Sequence, residues 1–300
     1  DELKKVIQNW NLDSKVFIII MDGGSNMIKV CHFLTSKFGI NRLPCAAHTL
    51  QFSVQAGIKQ LELIHTRLKS LQAFFRSPKQ AQRLREEQKK LTHEDQDINN
   101  DPTANNSNQW NPLDILTDCK TRWNSTYLAW KRILKLDDAI RSLAATLSLA
   151  KDTQTRNEGE RLNRLRLNSE EFNFIENIIK LLAPFEAITR QISGAKYPTI
   201  SLIYPYMRLL KQKFAPTDNV TIEDYMDLIY ELLNRVRAAV YLSLDELWNI
   251  PDDVALLATI LELRLKETSN FQQVEELDTL FVDMWAPSQE IIQAEEDEIA

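Results

Sequence analysis

Three short constellations hold residue types able to do chemistry. Asp22 follows the apolar run Val16 to Met21 and precedes Gly23 and Gly24, two of six glycines in the chain. Open α/β sheets keep their working groups at the carboxyl ends of buried strands, so Asp22 stands where a metal-binding or catalytic carboxylate would stand. An acid in that position is more often a helix cap or a loop residue. Mg²⁺ usually takes one or two carboxylates together with substrate phosphates, so Asp22 alone does not complete a site. The surrounding glycines match neither phosphate-cradling pattern, G-x-G-x-x-G nor G-x-x-x-x-G-K-[ST].

The second constellation is Cys45-x-x-His48. Two zinc ligands could sit at that spacing, but a structural zinc site needs four, and no second C-x-x-C or H-x3-5-H pair exists. Zinc is therefore not expected; a packed cysteine beside a hydrogen-bonding histidine is the simpler reading. The third is Arg122-Trp123 in "CKTRWNSTYLAW". An arginine can ligate a phosphate, and the indole is a flat surface on which an unpaired base can stack. Taken alone, Trp123 reads as a core anchor and Arg122 as a surface charge over it.

These residues need elements to position them. Residues 2–10 read as a short helix leading into a strand at 16–21, whose unbroken apolar run fits a strand covered on both faces. Ser25 or Asn26 can cap the next helix, which Gly39 ends. Residues 40–48 read as a second strand or extended segment. Leu50, Val54, Ile58, Leu61, Ile64, Leu68, Leu71 and Phe75 then form one apolar stripe and predict one long helix. Residues 92–112 are polar and aperiodic and read as a loop or a disordered insertion. Asn124 or Ser125 can cap a second helix, carrying Tyr127 to Leu147, and a polar break follows at 151–168. Asn168 or Ser169 caps a third helix that Pro184 is expected to kink or interrupt. Residues 193–199 form a turn, and a helix with Pro205 in its first turns follows. Thr221 opens a long helix to about Trp248, Pro251 begins another, and the chain closes on an acidic tail. A small α/β start thus gives way to a mainly helical remainder near residue 49.

The chain has 300 residues, 44% apolar and 26% charged, with a net charge of −6. That length allows a sizeable core, and the charge speaks against a basic coat while permitting a local basic groove. Cys31, Cys45 and Cys119 are too few and scattered for a disulfide framework, so a reducing compartment is expected. No apolar run approaches the ~20 residues of a membrane span, and no membrane partner is expected.

Taken in order, six segments resemble the hAT DNA transposases and the BED-type zinc-finger host proteins derived from them. They are "MDGGSNM" (21–27), "CAAHTL" (45–50), "TRWNSTY" (121–127), "LLAPFEAIT" (181–189), "ISGAKYPTISLIYP" (192–205) and "ILELRLK" (260–266). The resemblance implies a fold that is mainly α with a small α/β part. A partial RNase H-like core would occupy 1–48, a helical insertion domain 49–285 and an acidic tail 286–300.

In that family two Asp and one Glu hold Mg²⁺ or Mn²⁺ for strand cleavage and transfer. The resemblance makes Asp22 the second of these acids and sets Cys45 and His48 near the active site. Trp123 would support a flipped base, with Arg122 beside it. The first Asp lies upstream in the family, and the Glu in a C-terminal dimerisation region with no counterpart before Ala300; "LELR" replaces "LDPR", and Glu262 is not taken as the missing acid. The BED zinc finger is absent too. The expectation is a chain incomplete at both ends, a fragment or degenerate copy that binds DNA in a nucleus without cutting it, needs no cofactor itself and leaves oligomerisation to the missing region. The alternative is a domesticated, non-catalytic helical scaffold for DNA or protein partners. A helical scaffold with no DNA role, consistent with the negative charge, is a third reading.

Overall fold

The structure is a computed structural model that describes residues 2–12, 15–98, 111–119, 122–194, 199–216, 228–248 and 253–261. It is mainly α with a small α/β part at the N-terminus. In that part, helix α1 (Glu2–Asn9) precedes strand β1 (Ile18–Met21), helix α2 (Ser25–Phe38) and strand β2 (Asn41–Pro44). β1 and β2 pair in parallel, Ile18 opposite Asn41 and Met21 opposite Pro44. α2 is their crossover, as a parallel pair requires. Gly39 closes α2 at φ 67°, its N–H bonded to Thr35 O, a conformation that a side chain at this position would strain. A small core of Met21, Cys31, Leu34 and Ile40 lies between α2 and the strands.

The helical body follows. α3 (Ala46–Lys59) and α4 (Glu62–Phe75) carry the apolar stripe, but as two helices, not the one that the periodicity predicts. The break falls at Gln60-Leu61, where the N–H groups of both residues bond to carbonyls three residues back. Leu61 is buried at the corner, so the stripe continues through it. α5 (Pro78–Ile98) runs into the segment expected to be loop from 92; residues 99–110 lie outside the described residues. The expected second helix is likewise two, α6 (Trp123–Lys135) and α7 (Asp137–Ser148), turning at buried Leu136.

The polar break expected at 151–168 contains a helix, α8 (Thr153–Leu165). Asp152 caps it, accepting the Gln154 and Thr155 N–H groups at 3.1 and 2.8 Å. Its buried side is narrow, chiefly Gly159 and Leu162, which is why its composition looks like loop. Gly159 is needed there: an added Cβ would sit 2.5 Å from the Ser148 backbone N and 2.7 Å from the Leu147 carbonyl carbon.

α9 (Ser169–Ile192) begins with a full capping box between Asn168 and Glu171 and runs through Pro184 without a break. α10 (Ile200–Phe214) contains Pro205. α11 (Leu228–Leu247) and α12 (Asp253–Leu261) complete the described body. α11 lies along α3 through a seam of small residues, where Ser243 Oγ meets Ser53 Oγ at 3.3 Å and Gly57 faces Val236 and Val240. Trp130, Phe185, Phe214, Leu50, Leu68 and Ile175 are among the fully buried side chains of the body. Parts of the turn at 193–199, the cap Thr221, Pro251, Glu262 and the acidic tail lie outside the described residues. No helix among the described residues is long and apolar enough to cross a membrane.

Candidate functional site

The parallel pair delivers Asp22, Cys45 and His48 to one place. Met21 O accepts the Cys45 N–H at 2.9 Å, so the carboxyl ends of β1 and β2 are stitched together where α3 begins. One turn into α3, the His48 ring stands beside Gly23, 3.9 Å from where a Cβ on that glycine would be. Its other side meets the edge of Phe52, with ring centroids 4.8 Å apart. Arg42, the second residue of β2, donates Nη2 to Asp22 O at 3.0 Å. An acid, a base and a cation therefore share one sheet end.

The acid already has a local task. Asp22 Oδ1 accepts the Gly24 N–H at 3.1 Å, an Asx turn that leads the chain from β1 into α2. Gly24 is the N-cap of α2 and provides no side-chain bond, so neither Ser25 nor Asn26 caps that helix. Among the described residues no three His, Cys, Asp or Glu side chains are grouped to hold a metal. One carboxylate with an oxygen turned to a backbone N–H does not fit the two-metal chemistry that the resemblance implies. Cys45 and His48, two ligands at most, do not fit a structural zinc either.

Arg122 and Trp123 belong to a different part of the body. Arg122 is exposed at the N-cap of α6, while Trp123, the first residue of that helix, is only 3% exposed. Its ring packs edge-on against Tyr127 and Phe185, with centroids 5.9 and 6.3 Å away, and Phe185 in turn meets Phe214 at 5.1 Å. This ladder joins α6, α9 and α10, and it leaves the indole no open face for a base. The core-anchor reading of Trp123 describes the structure, and the flipped-base role would require the ring to leave its ladder. Neither Asn124 nor Ser125 caps the helix, since both lie inside it.

The rest of that motif is a joint. Ser125 Oγ accepts the Cys119 N–H at 2.7 Å and donates toward Arg122 O at 2.6 Å, while Thr126 Oγ1 donates to Asp118 Oδ2 at 3.3 Å. The segment before α6 is thereby tied to the start of the helix. Asp118, nearly buried, also has Lys69 Nζ at 3.6 Å and His65 Nε2 at 4.0 Å. Burial and the neighbouring Lys69 charge lower the His65 pKa, and Asp118 only partly opposes them. Sequence reading missed this group. The available signal was a histidine in the apolar stripe, between Leu61 and Leu68.

Residues 43–167 match the ZBED1 RNase-like helical domain. The match runs from β2 through α8 and supports a transposase-derived, ZBED-type family for that segment. The matched segment contains Cys45, His48, Arg122 and Trp123, whereas Asp22 precedes it. No curated protein matches the chain.

Proposed function

We propose that this chain is a hAT-type, transposase-derived protein that binds DNA in the nucleus and, with the residues described, does not cut it. The match of residues 43–167 to the ZBED1 RNase-like helical domain is the observation that carries this reading. The gathering of Asp22, Cys45 and His48 at one end of a parallel strand pair supports an RNase H-like ancestry for the small α/β part. Cleavage by this ancestry would need two metal ions held by several acids. Asp22 is engaged in an Asx turn, and among the described residues no acids are grouped with it to hold a metal, so binding without cleavage is the activity expected.

The experiment is a salt titration of binding to hairpin and duplex DNA, with and without Mg²⁺. Salt-sensitive binding with both substrates intact is expected, because contacts to phosphate release counterions. No binding at low salt would overturn the DNA role. Cleavage in Mg²⁺ would overturn the inactive reading and point to acids outside the described residues.

A second reading, a scaffold for protein partners, is favoured by one feature. Large apolar side chains are exposed throughout the small α/β part, including Trp10 at 73% and Phe17 at 66%. Exposed patches of this kind commonly mark interaction surfaces. A chain that fails to bind DNA yet forms defined complexes through this part would support that reading instead.

A further inference from the structure

The net charge of −6 conceals a division. Residues 43–167 hold twenty Lys and Arg against fourteen Asp and Glu, a net +6, whereas residues 168–300 hold ten against twenty-four, a net −14. Within the positive block, several cations meet where α5 approaches α8. Lys79 Nζ and Arg83 Nη1, one turn apart on α5, both donate to Glu158 of α8, at 2.9 and 2.6 Å. Two cations share that carboxylate, which fixes them side by side. Asp152, held ionised by the Thr155 and Gln154 N–H groups and the nearby Lys79 charge, offsets the second cation, so the excess positive charge of this edge comes from Arg76, Arg161 and Arg164. Arg161, one turn beyond Glu158, lies over the Phe74 ring at 5.7 Å, and Arg164 follows at the next helical step. Arg76, exposed at the end of α4, stands two residues from Phe74.

We infer that this edge, built from Arg76, Lys79, Arg83, Arg161 and Arg164, is the surface that contacts the nucleic-acid backbone. The inference rests on the DNA-binding reading above and names its surface. Three properties support it. Glu158 holds Lys79 and Arg83, and Phe74 lies under Arg161, so three of the five cations are already positioned and have less side-chain freedom left to lose. Four of the five are exposed and they are spread over α5, α8 and the end of α4, which suits a polyanion better than a single small phosphate. None of these cations is on α6, and the Trp123 indole is buried, so contact with phosphates here needs no unpaired base. Binding through it is independent of sequence and equal for hairpin stems and plain duplex.

The test uses the full 300-residue chain and a short mixed-sequence duplex, with affinity measured by fluorescence anisotropy between about 50 and 200 mM salt. Neutralising Lys79→Gln with Arg161→Gln should make the slope of log affinity against log salt shallower by about 1.8, roughly 0.9 for each phosphate no longer neutralised. Arg208→Gln with Lys213→Gln, two exposed cations on α10, should leave the slope unchanged. The charge-keeping pair Lys79→Arg and Arg161→Lys should retain the parental slope, which separates lost charge from lost folding. If the parent binds and the neutral pair keeps its slope, this surface is wrong and the DNA reading stands. If the parent does not bind, both fall.

Discussion

At the scale of residues, Asp22 and Trp123 have structural tasks, one in an Asx turn and the other in an aromatic ladder. Asp22→Ala removes the acceptor of the Gly24 N–H. It should cost about 0.5–1.5 kcal/mol in urea unfolding and leave DNA affinity unchanged, while Asp22→Asn recovers most of the loss. A large drop in affinity would show that Asp22 organises a contact beyond its Asx turn. Trp123→Ala should destabilise by about 3–5 kcal/mol, because it removes the centre of the ladder formed with Tyr127 and Phe185. His65 makes stability depend on pH in a defined direction. Its folded pKa lies below the usual 6.5, so between 6.5 and that lower value the unfolded chain binds the proton first. Stability should therefore fall as pH drops from neutral through this window, then level off in this contribution. Urea unfolding at several pH values should show that fall reduced in His65→Gln.

At the scale of elements, the signals that survive are those whose physics is local. Gly39 ends a helix because its left-handed backbone is open without strain only to glycine, and Asn168 with Glu171 forms its box within four residues. The corners at Gln60-Leu61 and Leu136 leave no such mark. No Gly or Pro stands there, and a leucine buried at each turn keeps the apolar stripe continuous. α8 is hidden for the opposite reason, since a helix that buries little more than Gly159 and Leu162 has almost no stripe to read. The candidate site divides the same way. Asp22 and Cys45 are legible because each directly follows a strand, and His48 follows Cys45 within one turn of α3. His65 is far in sequence from Asp118 and Thr126, and only the packing of α4 against the segment before α6 unites them. The two close glycines give a ranked prediction. Gly159→Ala drives a methyl into backbone and should cost about 1–3 kcal/mol despite the gain in helix propensity. Gly57→Ala meets mainly the valine side chains of α11, 2.6 Å at the nearest, and should cost less because these can shift. Thermal unfolding of the two variants checks the order.

For the whole molecule, the contrast lies between a well-filled helical body and a small α/β part with much of its apolar surface open. β1 pairs on one side with β2, and among the described residues no strand pairs with its other edge. Phe17 and Ile20, 66% and 51% exposed, lie just before and within that strand. Such an edge invites pairing with other chains. Phe17→Lys with Ile20→Lys should therefore lower self-association in analytical ultracentrifugation while leaving the thermal transition of the helical body in place. Unchanged association would shift attention to the exposed leucines of α11 and α12.

The seam between α3 and α11 also sets a timetable for synthesis. Residues 46–59 and 228–247 face each other, so a ribosome that has completed α3 must add about 170 residues before the partner exists. At roughly 5–20 residues per second, the Gly57 side of α3 waits about 10–30 s without its permanent cover. The strand pair and its crossover lie within the first 44 residues and can assemble during that interval. A nascent chain stalled before α11 should therefore hold an ordered N-terminal unit and an α3 that still engages chaperones.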